Sequence, residues 1–86
     1  MGHIHAANIE TSERLQKLLY LLKTKAFAGA TSLEITQALG ILNPGTEVSA
    51  LRHNGYDVEC KYDRTTDAGA KVYRYFLYEG GQKNLF

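Results

Sequence analysis

Residues 31–55 read TSLEITQALGILNPGTEVSALRHNG, and the punctuation of this stretch decides the fold. Thr31 and Glu34 have capping-box spacing: the threonine hydroxyl and the glutamate carboxylate each accept a bond from the other's backbone N–H. The helix they open carries Leu33, Ile35, Ala38 and Leu39. Gly40 then stands where a left-handed residue is needed to leave it. Three residues later, Asn43 and Pro44 supply an N-cap and a proline at the first helical position. That helix runs from Pro44 to about His53, with Val48 and Leu51 inward, and Asn54–Gly55 ends it. Two short helices joined by a tight turn cannot bury their apolar stripes alone, so the flanking sequence must complete the core.

Upstream, Leu15, Leu18, Leu19 and Leu22 recur at i, i+3, i+4 and i+7, one face of an amphipathic helix over residues 11–25. Thr11 or Ser12 caps it, Glu13 suits its first turn, and Lys23 and Lys25 suit its last. Tyr20 and Leu21 fall beside the stripe and either widen the apolar face or offer a patch to a partner. A small-residue connector with Gly29 leads on to Thr31. Residues 1–10 show no period and read as a loose, flexible N-terminal arm. Its His3 and His5 form an H-x-H pair with no third ligand nearby, so the bland reading, a mobile terminus with no metal, is preferred.

Downstream the period changes to two. Val58, Cys60 and Tyr62 share one face, with Asp57, Glu59 and Lys61 on the other. Tyr73, Tyr75 and Leu77 likewise alternate with Val72, Arg74 and Phe76. Residues 63–70 between them are polar and small, which predicts a two-stranded hairpin with a long tip. Gly80–Gly81 then releases a short, flexible tail, residues 80–86. The fold class is therefore α+β, with a single domain over residues 11–79: three helices followed by a two-stranded β-hairpin wing. That order is a winged helix-turn-helix, in which the outer face of the third helix protrudes with the width of a DNA major groove.

Thr31-Ser32-Leu33-Glu34, the Gly40 turn, Leu51-Arg52-His53-Asn54-Gly55, Tyr56-Asp57-Val58-Glu59 and Tyr75-Phe76-Leu77 follow one another in a particular order. From Thr31 to Tyr78 the chain resembles the small winged helix-turn-helix DNA-binding domains encoded in many tailed-phage genomes. The resemblance covers a little over half of the sequence. It implies duplex-DNA binding in transcriptional regulation, or another DNA transaction of a phage or prophage. One departure stands out: the family's third helix carries more basic residues in its first turns, where this chain has Pro44-Gly45-Thr46-Glu47.

With the third helix in the groove, the outward residues are Gly45, Thr46, Ser49, Ala50 and His53. Thr46 and Ser49 reach base edges or phosphates. Glu47 either accepts from cytosine N4 or serves as a helix-dipole partner, and Asn43 either contacts adenine or caps the helix. Arg52 is a phosphate clamp or an intramolecular ion-pair partner of Glu59 or Asp57. Arg64 and Lys71 sit at the wing, with Lys61 and Arg74 behind them. Ten Lys and Arg against nine Asp and Glu give a net charge of +1. A monomer should therefore bind weakly and with strong salt dependence, so specific binding would need a homodimer or a partner protein. Val72, Phe76 and Tyr78 form either an exposed patch for self-association or a surface packed on the arm or the first helix.

At the end of the sequence stand Gln82-Lys83-Asn84-Leu85-Phe86. They resemble the Q-x-x-L-F peptide by which bacterial replication and repair proteins dock on the DNA polymerase sliding clamp. Gln82 would fill a polar subsite and Leu85–Phe86 an apolar pocket, and the alternative is an unstructured tail. That resemblance implies a protein-interaction module, or a replication accessory factor or inhibitor. No catalytic constellation or cofactor motif is recognisable, so the chain is not expected to be an enzyme. Cys60 lies on an apolar strand face and reads as a buried, inert thiol. A lone cysteine, an apolar run of only five residues (Leu18 to Leu22) and the lack of a signal sequence predict a protein without a membrane span. Its expected place is the cytoplasm of a bacterial host cell.

Overall fold

The computed structural model describes residues 8–79 of the chain. Helix α1 (Glu13–Lys25) is followed by a 3₁₀ turn (Ala26–Ala28) and a strand β1 (Ala30–Thr31). Then come α2 (Ser32–Leu39), α3 (Pro44–His53), β2 (Asp57–Thr65) and β3 (Lys71–Tyr78). The fold is α+β, three helices against an antiparallel sheet ordered β1-β3-β2, an arrangement compatible with a winged helix.

The sheet has three strands, not the expected two. Ala30 pairs with Tyr75 and Thr31 with Arg74. A strand of two residues is too short to leave a period in the sequence. It forms because Gly29 lets the backbones close. A Cβ there would lie 2.8 Å from the Tyr75 carbonyl oxygen and 2.8 Å from the Phe76 ring, and its φ of +70° is left-handed.

Each helix end shows what starts or stops it. Ser12 caps α1 by accepting the Leu15 N–H at 3.2 Å. At α2 the capping box is complete: the Thr31 hydroxyl accepts the Glu34 N–H at 3.0 Å, and the Glu34 carboxylate accepts the Thr31 N–H at 2.9 Å. That backbone bond, assisted by Lys25, holds the Glu34 carboxyl below the ordinary glutamate value. Gly40 takes the left-handed conformation and donates to the Thr36 carbonyl at 2.8 Å. The core is the meeting of Leu15, Leu18, Leu22, Ile35, Val48 and Leu51, each no more than 1% exposed, with Val58, Tyr75 and Leu77 of the sheet. Burying a side chain of this size contributes about 1.5–3 kcal/mol. In so small a domain no single one of them is spare.

The hairpin is longer and its tip shorter than the sequence suggested. β2 continues to Thr65 through a bulge between Tyr62 and Arg64, which resets the register so that Arg64 faces Val72 and Thr65 faces Lys71. The apparent end of alternation at Asp63 is the extra residue of that bulge. At the other end, residues 8–10 of the expected arm are anchored. Ile9 packs on the core, its N–H donates to Asn54 Oδ1 at 3.0 Å, and Gln16 Nε2 donates to its carbonyl at 2.8 Å. His3, His5, Gln82, Leu85 and Phe86 lie outside the described residues. Among the described residues no helix is long and apolar enough to cross a membrane.

Candidate nucleic-acid interface

The outer surface of α3 is open. Gly45, Thr46, Ser49, Arg52 and His53 are exposed, and Asn43 is exposed just ahead of them. Spacings of three and four residues align Thr46, Ser49 and His53 along one stripe. Ala50 does not belong there: expected outward, it is only 7% exposed. The reason is tertiary, because α1, α2 and β2 all pack against α3 and cover more of its circumference than Val48 and Leu51 alone would imply.

Several residues expected at a nucleic acid are engaged within the protein. Arg14 Nε of α1 lies 3.0 Å from the Glu47 carboxylate, so Glu47 ties α3 to α1 instead of waiting for a cytosine amine. The Arg52 guanidinium donates from Nε and Nη2 to the Val58 carbonyl at 3.0 and 2.7 Å. Arg52 is thus engaged within the protein, by a backbone oxygen of β2 and not by the expected carboxylate of Glu59 or Asp57. Asn43 occupies the N-cap position, yet its side chain makes no capping bond. Its carbonyl accepts the Thr46 N–H at 3.1 Å instead.

On the wing, Asp63 gathers two arginines. Arg74 Nε lies 3.0 Å and Arg64 Nη1 2.6 Å from its carboxylate oxygens. Arg74, then Arg64, hold the Asp63 carboxyl below the usual aspartate value. Arg74 also donates to the Ala28 carbonyl at 2.8 Å, which locks the sheet to the turn after α1. Lys61 lies 5.7 Å from the centre of the Phe76 ring, a cation–π placement. Of the residues expected at the DNA, Lys71 and His53 are exposed and carry no side-chain partner among the described residues.

The sheet face towards the helices holds the residues that sequence reasoning missed or misplaced. Tyr62 and Tyr73 oppose each other with ring centres 6.2 Å apart, edge to face, and Tyr62 is 58% exposed with its hydroxyl 2.6 Å from the Thr65 hydroxyl. Alternation alone could have pointed to them, since it places more rings on this face than three short helices can cover. Cys60 is exposed, not buried. The cover that buries Val58 does not extend along β2 to Cys60 or Tyr62, although Tyr75 opposite Cys60 is buried. Burial raises the Tyr75 phenol above its ordinary value, with Cys60 beside it adding to the effect.

Of the expected patch of Val72, Phe76 and Tyr78, Val72 is buried and the two rings are half-buried. Val72 is 1% exposed, and the Phe76 ring covers the backbone at Gly29. The Tyr78 hydroxyl donates to the Glu59 carboxylate, which raises the phenol's pKa. No family model, no curated protein and no solved structure matches the chain.

Proposed function

We propose that the protein binds duplex DNA as a winged helix, laying the Thr46–Ser49–His53 stripe of α3 in the major groove with the wing along the flanking backbone. The carrying observation is that this stripe of small polar side chains is open to solvent, while the opposite side of α3 is packed in the core. Hydroxyls and an imidazole can exchange hydrogen bonds with base edges or phosphates without steric cost. The role that fits is that of a regulator in a phage or prophage, acting in the cytoplasm of the bacterial host.

The electrostatic part of such binding is small. Lys71, together with Arg64, which must leave or share its exposed pair with Asp63, offers about two phosphate contacts, so log K should fall against log salt with a slope near −2. Useful affinity then requires a second copy on an adjacent half-site. The test is a salt titration of binding to a site selected from a random duplex pool. Lys71→Ala should flatten the slope by about one unit for every sequence, whereas Ser49→Ala should erase preference at one or two base positions. Wild-type slope and preference in both variants would reject this docking.

The shortage of free cations on α3 also favours a second reading, in which the fold is a scaffold for protein contacts and Gln82, Leu85 and Phe86 dock on the bacterial sliding clamp. A clamp pull-down with and without residues 82–86 separates the two, because loss of the clamp with DNA binding unchanged favours the scaffold.

A further inference from the structure

An open, mainly apolar groove of about 450 Å³ runs along α1 to its junction with α2. Its walls include Tyr20, Leu21 and Thr24 of α1 and, across from them, Leu39 of α2, with Glu13 and Lys17 at its polar end. Tyr20 is 73% exposed, a large ring left without cover. The DNA reading does not use this surface; Leu21 and Leu39 also rest partly on the core, and Tyr20 is left open.

The last described residue meets α1 near its C-terminal turn. Glu79 is 3.5 Å from the Lys23 ammonium, so the chain leaves β3 next to the same turn of α1 that carries Tyr20 and Thr24. Seven residues follow. Extended, they reach about 23 Å. The helix from Lys23 back to Glu13 rises only about 15 Å, so every part of the groove is within that reach. Gly80 and Gly81 have no side chain to oppose a sharp turn at the outset, and Leu85 and Phe86 supply apolar bulk to match Tyr20, Leu21 and Leu39.

We propose that residues 82–86 of this chain seat Leu85 and Phe86 in the α1–α2 groove. Seated there, the pair is withheld from any other protein, so the groove competes with an outside partner for one peptide. The occupancy is independent of DNA docking, because the groove and α3's open stripe are different surfaces.

The test uses the full chain with Cys60→Ser and Gln82→Cys, a nitroxide on the new thiol, and amide NMR signals of the folded body. Cys60 is exposed, so its replacement leaves the core intact. Expected is loss of amide signal at Leu39, on the α2 wall, with recovery when Leu85 and Phe86 are also changed to alanine. Broadening confined to residues around Lys23 and Glu79 overturns the proposal. So does broadening that persists when spin-labelled chain is mixed with separate isotope-labelled chain, because the occupant is then a second copy. Groove amides that shift with Ile4→Ala but not with Leu85→Ala/Phe86→Ala assign the groove to the N-terminal segment and overturn it equally.

Discussion

α2 and α3 are both short, yet they are held in opposite ways. α2 is closed by its own local chemistry, a two-way capping box at one end and a left-handed glycine at the other. α3 starts without a side-chain cap and is held from outside, by Arg14 of α1 on Glu47 and by its own Arg52 reaching over to Val58 of β2. A helix fastened by neighbours lends its charged side chains to the fastening. In α3, Glu47 and Arg52, expected as a base reader and a phosphate clamp, both have partners inside the protein, and the side chains left open are Thr46, Ser49 and His53. On the DNA-binding proposal, specificity on such a surface would come from hydroxyls and helix position, with little help from charge.

The contrast can be broken by measurement. Truncating Leu51, fully buried in α3, should cost about 2–5 kcal/mol in chemical denaturation. Ile35→Ala in α2 should fall in the same range, because core burial does not depend on how the ends are fastened. Arg52→Ala should destabilise by about 1–2 kcal/mol, since it strips a partly buried carbonyl of two donors. Unchanged stability with a shallower salt slope for DNA would instead return Arg52 to the interface.

At the caps, Thr31→Ala should cost about 1 kcal/mol. Asn43→Ala should change stability by only a few tenths, because no capping bond is lost. Equal costs would mean that α3 is capped like α2 in solution.

The smallest effect is set by pH. The native Glu34 carboxyl binds its proton less readily than the unfolded one, so its contribution is complete above the unfolded value, about 4.3, and is lost as pH falls through the lowered native value. Thermal melts from pH 6 to pH 3 should show wild type converging on Glu34→Gln at the acid end. A constant gap would place the effect elsewhere than in the charge.

How legible each part was follows the same division. Thr31, Glu34 and Gly40 act on backbone groups within four residues, so the bounds of α2 could be read directly. The leucine stripe of α1 and the alternation of both long strands were equally plain, being periodic over several turns or residue pairs. β1 was not, because its two residues form a strand only through Tyr75 and Arg74, more than forty positions away. Cys60 misled for a related reason: alternation tells which face a residue takes and nothing of how far the covering helices extend.

By itself, the sequence determined the three helices, the hairpin and which face of each is apolar, since those depend on spacing and on bonds between near neighbours. Only the tertiary structure decided which charges are spent inside the protein, that Asp63 is a bulge gathering two arginines, that Ala50 and Val72 are buried, and that Tyr20 is left uncovered. These depend on side chains brought together from distant positions, where a long arginine finds whichever carboxylate or carbonyl the fold presents within about 3 Å.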